Sequence, residues 1–336
     1  MALSPGKLQH MKKLSNKDGI IAAAAMDQRG SLQKSLATAK GVSPKDITWD
    51  MMSEFKTAVT RILTPHASAI LLDPEFGLDA AKARSSNAGL LLAYEETGYD
   101  NTQPGRLPDL LPHVSGKRIV DWGADAVKIL IYYTPFDAEP INDIKHAFIE
   151  RIGSECEDLQ IPFFLEFVGY DHKGGDEKGL EYAKSKPQIV LGSMKEFTKP
   201  QYKVDILKVE VPINPEFVEG SVAYKGQKAY SMAEAMDHYR ECAAVATKPF
   251  IYLSAGVSNP VFLENLRLAT DSGTDFSGVL CGRATWKDGM PIYATKGLKA
   301  LEDFLSTKGV ENINAVNAAL KGATPWFKKL GVAATA

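Results

Sequence analysis

The sequence predicts an α/β protein, a single (β/α)8 TIM barrel, and three observations carry that expectation. Eight apolar, strand-like runs recur along the chain, most of them separated by stretches of helical periodicity. Seven of these runs carry a charged or hydroxyl side chain within them or just past their C-terminal ends: Asp27, Asp73, Glu75, Lys128, Glu166, Lys208, Ser254 and Arg283. In a barrel those ends converge on the face that holds the active site. The chain has 336 residues, more than the ~250 a barrel needs. The surplus goes to an N-terminal helix, long loops and a C-terminal helical extension. No composition break and no fixed repeat is present. Residues 1–336 therefore read as one domain, with the barrel at about 19–306 and a loosely held tail at about 321–336.

Taken in order, residues 6–18 form a short amphipathic helix with Leu8, Met11 and Leu14 inward. Residues 20–26 are alanine-rich, which favours helix, but the run is short and lies between Gly19 and Gly30, so a buried strand is expected. A helix follows over 44–64, with Ser43 and Pro44 as N-cap and first residue. Strands at 67–72 and 89–95 come next, then a polar connection and a helix near 114–122. The fourth strand, 124–133, has Lys128 inside it. A helix over 140–157 carries Ile141, Ile144, Phe148, Ile152 and Cys156 at helical spacing. The fifth strand, 161–168, contains Glu166, and after a glycine-rich loop helices cover 178–199. The sixth strand is 205–212. Ser231 and Glu234 make a capping-box signature for a helix to about 246. The seventh strand, 248–254, precedes a helix with Asn259 and Pro260 as N-cap and first position. The eighth strand, 276–281, is followed by helices near 295–306 and 310–320.

Composition narrows the function. The hydrophobic fraction of 45% and charged fraction of 24% suit a soluble globular protein. A net charge of −2 gives no field to attract nucleic acid or an anionic membrane. An anionic substrate must then be held by a local basic cluster. No apolar run approaches ~18 residues, and the first residues lack the apolar core of a signal peptide. Cys156, Cys242 and Cys281 are widely spaced and form no C-x-x-C pair, which fits a reducing, cytoplasmic setting.

The sixth strand is the most informative. Ile206, Lys208 and Glu210 share one face of it, and Leu207, Val209 and Val211 the other. With both faces covered, a lysine projects into the interior. Burial or a nearby cation favours a neutral amine. A lysine of ordinary pKa, ~10.4, is neutral in about one molecule in 2,500 at pH 7, whereas one shifted to ~7.5 is neutral about a quarter of the time. An amine that attacks a carbonyl needs that difference. The alternative is a Lys208 that snorkels to a strand end or pairs with Glu210. Parity extends the pattern, since Lys128 aligns with Ala126 and Leu130, Glu166 with Phe164, and Asp27 with Ala23 and Ala25. Four strands thus aim Asp27, Lys128, Glu166 and Lys208 at one volume. Lys128 would favour a neutral Lys208 by like-charge repulsion, Glu166 would serve as general acid/base, and Asp27 is placed for a substrate hydroxyl. Two structural ion pairs filling the mouth remain the alternative.

Phosphate chemistry is expected at the last two loops. Ser254, Ala255 and Gly256 after strand seven, with Gly282 and Arg283 after strand eight, offer backbone N–H groups, a hydroxyl and a guanidinium. Arg29, with Gln28 beside it, is a candidate for a second anionic group. The six histidines are dispersed, and no two stand at ligand spacing, so no metal site is expected.

These blocks carry a family resemblance. Met26-Asp-Gln-Arg-Gly30, Leu71-Leu-Asp-Pro-Glu75, Gly123-Ala-Asp-Ala-Val-Lys128, Ile161-Pro-Phe-Phe-Leu-Glu166, Tyr252-Leu-Ser-Ala-Gly-Val-Ser258 and Gly278-Val-Leu-Cys-Gly-Arg-Ala-Thr-Trp286, with the sixth strand, resemble the class I tagatose 1,6-diphosphate aldolases of bacterial lactose and galactose catabolism. The similarity spans about residues 8–328, and it is weaker in 167–176 and after Trp326. The resemblance implies a metal-independent lyase with no cofactor and with a Schiff-base lysine at Lys208. Glu166 would be its acid/base partner, Asp27 and Lys128 would support it, and the phosphate would lie on the last two loops. The expected activity is reversible cleavage of D-tagatose 1,6-bisphosphate to dihydroxyacetone phosphate and glyceraldehyde 3-phosphate. Fructose 1,6-bisphosphate or sulfofructose 1-phosphate are alternative substrates, and a non-catalytic sugar-phosphate-binding regulator is an alternative of another class. Expected partners are phosphorylated ketoses and triose phosphates, with a homo-oligomer left open.

Overall fold

In the computed structural model, which describes residues 3–100 and 102–331, eight parallel strands close into a barrel flanked by helices. The strands are β1 (Ile21–Met26), β2 (Ala69–Leu72), β3 (Gly89–Ala93), β4 (Ala126–Tyr132), β5 (Phe163–Val168), β6 (Ile206–Val209), β7 (Phe250–Leu253) and β8 (Gly278–Cys281). Each pairs with its neighbours in the chain, and β8 pairs with β1 to complete the ring. Closure needs a glycine at that seam. A Cβ on Gly278 would lie 2.0 Å from the Ile21 carbonyl oxygen. The eight expected runs are all present, trimmed at their ends where the apolar flanks pass into turns. A short two-stranded ribbon, Val218–Glu219 with Tyr230–Ser231, is added in the connection from β6 to β7.

Strand alternation sorts the core into two shells. Ile21, Ala23, Ala25, Leu71, Leu91, Ala126, Phe164, Ile206, Ile251 and Leu280 fill the barrel interior. Their neighbours, among them Ala22, Ala24, Val127, Leu165, Leu207 and Val209, pack outward under the helices. The face assignments for Lys128, Glu166, Asp27 and Lys208 follow, because each lies two residues along from an interior position.

Several helices differ from the expectation. The helix Gly30–Lys40 is additional. Only Leu32, Leu36 and Ala37 are buried along it, too sparse a stripe to stand out. The helix expected over 44–64 begins at Trp49 instead. Ser43 and Pro44 open a single 3-10 turn, Pro44–Asp46, and Thr48 caps the helix Trp49–Leu63 by accepting from the Met51 N–H at 3.2 Å. On the helix Glu139–Asp158, Ile144 is 52% exposed rather than inward. Asn142 and Lys145 take the inner face because each finds a partner there, the Thr134 carbonyl at 3.0 Å and the Tyr170 hydroxyl at 2.8 Å. The N-cap before β8 moves by one residue, to Ser258.

The tail is the largest correction. Residues 321–331 are not loosely held, while 332–336 lie outside the described residues. Trp326 is 2% exposed and joins Met11 and Leu14 of the N-terminal helix in plugging the bottom of the barrel. Its Nε1 donates to Ser15 Oγ at 3.1 Å, and its backbone N–H donates to the Gly19 carbonyl. The N-terminal helix and Trp326 therefore close one barrel mouth and leave the other open. Trp326→Ala is expected to cost about 3–5 kcal/mol through the cavity it leaves. A lowered midpoint of denaturant unfolding would show it.

Candidate active site

At the open end of the barrel, Glu166 on β5 stands beside Lys208 on β6 in the strand register. Lys128 on β4 starts two residues deeper, since Leu130 is the register partner of Glu166, and its long side chain rises to the same level. Glu166 Oε2 accepts from Lys208 Nζ at 2.7 Å and lies 2.8 Å from Lys128 Nζ. Asp27, just past the end of β1, accepts from Lys128 Nζ at 2.9 Å. Room for these long side chains comes from β1, whose inward residues above Ile21 are only Ala23 and Ala25. All four predicted residues thus meet at one place. Lys128 is 0% and Lys208 3% exposed.

One participant was not singled out from sequence. Glu95, just past β3, accepts from Lys128 Nζ at 2.8 Å and pairs with Arg29 at 3.6 Å. Lys128 therefore touches three carboxylates, whereas Lys208 touches one. Burial works against the Lys128 ammonium, but Asp27, Glu166 and Glu95 outweigh it and raise the group well above the ordinary lysine value. For Asp27, burial alone would raise the carboxyl. Lys128 and Lys208 overcome it and hold the group well below the usual carboxylate range. At Glu95 burial wins over Lys128 and Arg29, so its carboxyl is raised. Glu95 ends the strand expected at 89–95 and shares the parity of Leu91 and Ala93, so a signal for its inward placement was present.

The last two loops lie beside this cluster. Ala255 and Gly256 both adopt left-handed backbone, φ +47° and +78°, in a turn closed by the Val257 N–H on the Ser254 carbonyl. Successive amides in such a turn point to one side and suit an anion. The Arg283 guanidinium lies against Gly256, where a Cβ would sit 2.7 Å from its Cζ. Gly282 approaches β1 closely; a Cβ there would be 2.9 Å from the Ala25 carbonyl oxygen.

Arg29 is buried and already engaged, its Nη1 donating to Glu75 Oε2 at 2.8 Å. Lys34 and Ser31, on the first turns of the helix Gly30–Lys40, line the space next to it and were not anticipated. Lys56 was also missed and is fully buried. It lies beneath the Asp27 segment and is paired with Asp73.

A cavity of about 650 Å³ is lined by Asp27, Lys128, Glu166 and Lys208 and by Gln28, Arg29, Ser31, Lys34, Ser254, Ala255, Gly256, Gly282 and Arg283. That volume suits a small, polar metabolite. Three buried polar atoms without a protein partner, Gln28 Oε1, Arg29 Nε and Glu95 Oε2, belong to residues that line it. Its far wall includes Tyr132. Behind that wall the Arg106 guanidinium sits over the Tyr99, Tyr132 and Tyr170 rings and pairs with Glu177, which ties two loops of this face together. Among the described residues, no group of three or more His, Cys, Asp or Glu side chains is arranged to hold a metal ion.

Comparison with known proteins points the same way. Residues 21–288 match the model of a DeoC/LacD family aldolase. A tagatose 1,6-diphosphate aldolase of Listeria monocytogenes is 50% identical over 331 residues, 98% of this chain and 96% of that protein. A tagatose 1,6-diphosphate aldolase 2 of Enterococcus faecalis is 51% identical over 333 residues, 99% of both chains. Among solved structures, a Schiff-base-forming fructose-1,6-bisphosphate aldolase superposes with a TM-score of 0.52 at 13% identity, covering 90% of this chain and 99% of its own. At that identity the likeness concerns the fold.

Proposed function

The chain belongs to the DeoC/LacD family of aldolases, which are lyases, and from that premise we propose that it cleaves D-tagatose 1,6-bisphosphate reversibly through a lysine imine at Lys208. The observation that carries this reading is the unequal treatment of two buried lysines sharing Glu166 Oε2. Lys128, held by three carboxylates, is the fixed cation. Lys208, with one, is the amine left to react with a carbonyl.

In the reaction, Lys208 Nζ adds to the C2 carbonyl of the open-chain ketose. Glu166 protonates the resulting carbinolamine hydroxyl, which leaves as water and yields the iminium. A base removes the C4 hydroxyl proton, the C3–C4 bond breaks, and its electron pair moves into the iminium to give an enamine. Glyceraldehyde 3-phosphate departs. Protonation at C3 and hydrolysis then release dihydroxyacetone phosphate and free Lys208. Glu166 suits the proton transfers by its place beside Lys208. Asp27, held strongly ionised, is the poorer base and instead accepts a hydrogen bond from a substrate hydroxyl. The C1 phosphate lies on the Ser254–Gly256 turn with Gly282 and Arg283, and the C6 phosphate lies toward Arg29, Ser31 and Lys34. No metal or prosthetic group enters this scheme. The cytoplasmic setting it implies is supported by the three cysteines, which are all free and buried.

Borohydride reduction with dihydroxyacetone phosphate, followed by peptide mass mapping, tests the mechanism and is expected to mark the peptide bearing Lys208. Comparing kcat/KM for tagatose, fructose and sulfofructose substrates tests the sugar, with tagatose 1,6-bisphosphate expected to lead. Binding of triose phosphate with neither adduct nor turnover would replace the enzyme by a sugar-phosphate sensor.

A further inference from the structure

Lys56 lies on the helix Trp49–Leu63, outside the cavity, and is 0% exposed. Its ammonium donates three hydrogen bonds, to the Met26 carbonyl at 2.7 Å, the Gln28 carbonyl at 2.7 Å and Asp73 Oδ2 at 2.5 Å. The two carbonyls are those on either side of Asp27. Met26 is the last residue of β1, and the Gln28 carbonyl lies beyond the ladder and needs another donor. One ammonium supplies both, and in doing so it pins the Met26–Asp27 and Gln28–Arg29 peptide planes that bracket the Asp27–Gln28 step.

The third partner is itself anchored. Asp73, at the end of β2, accepts from the Glu75 and Phe76 N–H groups at 3.1 and 2.9 Å through Oδ1. Glu75 in turn accepts from Arg29 at 2.8 Å. Lys56 therefore joins the ends of β1 and β2 from behind the barrel wall and braces both Asp27 and Arg29. Burying an ammonium with a single carboxylate is costly. The three acceptors of Lys56 all lie on the two segments that carry Asp27, Arg29 and Glu75, so the placement of those side chains depends on it.

We infer that Lys56 is a positioning residue for carbon–carbon cleavage, acting through the Asp27–Gln28–Arg29 segment. The inference rests on the aldolase reading above. Misplacing a reacting group by about 1 Å costs on the order of 100-fold, and Lys56→Met is expected to lower kcat/KM for bisphosphate cleavage roughly 10–100-fold. Imine trapping of dihydroxyacetone phosphate on Lys208 should keep its wild-type rate and extent, because Lys208 and Glu166 stand on other strands.

A double-mutant cycle decides whether the effect passes through Asp27. In the Asp27→Ala background, Lys56→Met should cost less than about 2-fold. A full, additive loss in that background, or a parallel loss of trapping, would overturn the inference in favour of general scaffolding. If the single variant does not fold, Lys56→Met/Asp73→Asn removes both buried charges and carries the same expectations. Failure of the aldolase reading is separable, since the wild-type protein would then form no Lys208 adduct at all.

Discussion

Replacing Lys208 by methionine is expected to abolish cleavage while leaving the barrel folded. Loss of a catalytic nucleophile costs roughly 10⁵–10⁶-fold in kcat, and without the imine no electron sink remains for the C3–C4 bond. A methionine matches the lysine stem in length and leaves Glu166 paired with Lys128 at 2.8 Å, so no carboxylate is stranded. The unfolding midpoint should hold or rise, because a buried ammonium has been removed from a site built for chemistry. Lys208→Arg should be equally inactive, because a guanidinium stays protonated and cannot act as the amine. Activity would be read by coupling triose phosphate release to a dehydrogenase, and adduct formation by mass spectrometry after borohydride. A methionine variant within 10-fold of wild type would place the nucleophile elsewhere, with Lys128 the next residue to test.

Much of this site was legible in the chain because strand parity is a strict rule. A charged residue in an apolar run must face one side or the other, and four such residues on interior parity leave little freedom. Asp27, Lys128, Glu166 and Lys208 were accessible in that way, and so was the pairing of the last two loops. Glu95 was open to the same rule, because it ends the expected strand 89–95 on the parity of Leu91 and Ala93, yet it was not singled out. Lys56 was hidden, since a lysine on an amphipathic helix ordinarily faces water. A signal was present all the same. Position 56 falls within the stripe that buries Met52, Phe55, Val59 and Leu63, where a lysine is out of place unless it has partners. The tail was misjudged because its few large apolar residues, Trp326, Phe327 and Leu330, form too short a run to show periodicity. Only the open lower mouth of the barrel explains why Trp326 is buried. Arg29 was read as a candidate for a second anionic group or else a surface arginine, yet it is buried in ion pairs with Glu75 and Glu95 because β2 and β3 bring those carboxylates beside it.

Glu166→Gln is expected to separate the two halves of the catalytic cycle. The glutamate bridges both lysines through Oε2, so it sets their spacing as well as moving protons. A glutamine keeps the shape and one acceptor oxygen but cannot donate and recover a proton. Carbinolamine dehydration and the later proton transfers should slow by roughly 10²–10⁴-fold, the usual range for removing a general acid/base. Addition of the amine to C2 needs no such group. The Lys208 adduct should therefore still accumulate in a long incubation with dihydroxyacetone phosphate and borohydride, only more slowly than in the wild type. Lys128 retains Asp27 and Glu95 at 2.9 and 2.8 Å, so the cationic neighbour stays in place. Asp27→Asn provides the contrast. It should leave the rate of adduct formation near wild type and depress cleavage, because Asp27 holds a substrate hydroxyl. If both variants instead slow adduct formation equally, proton transfer is shared between the two carboxylates, and the division of labour proposed here would give way to a coupled pair bridged by Lys128.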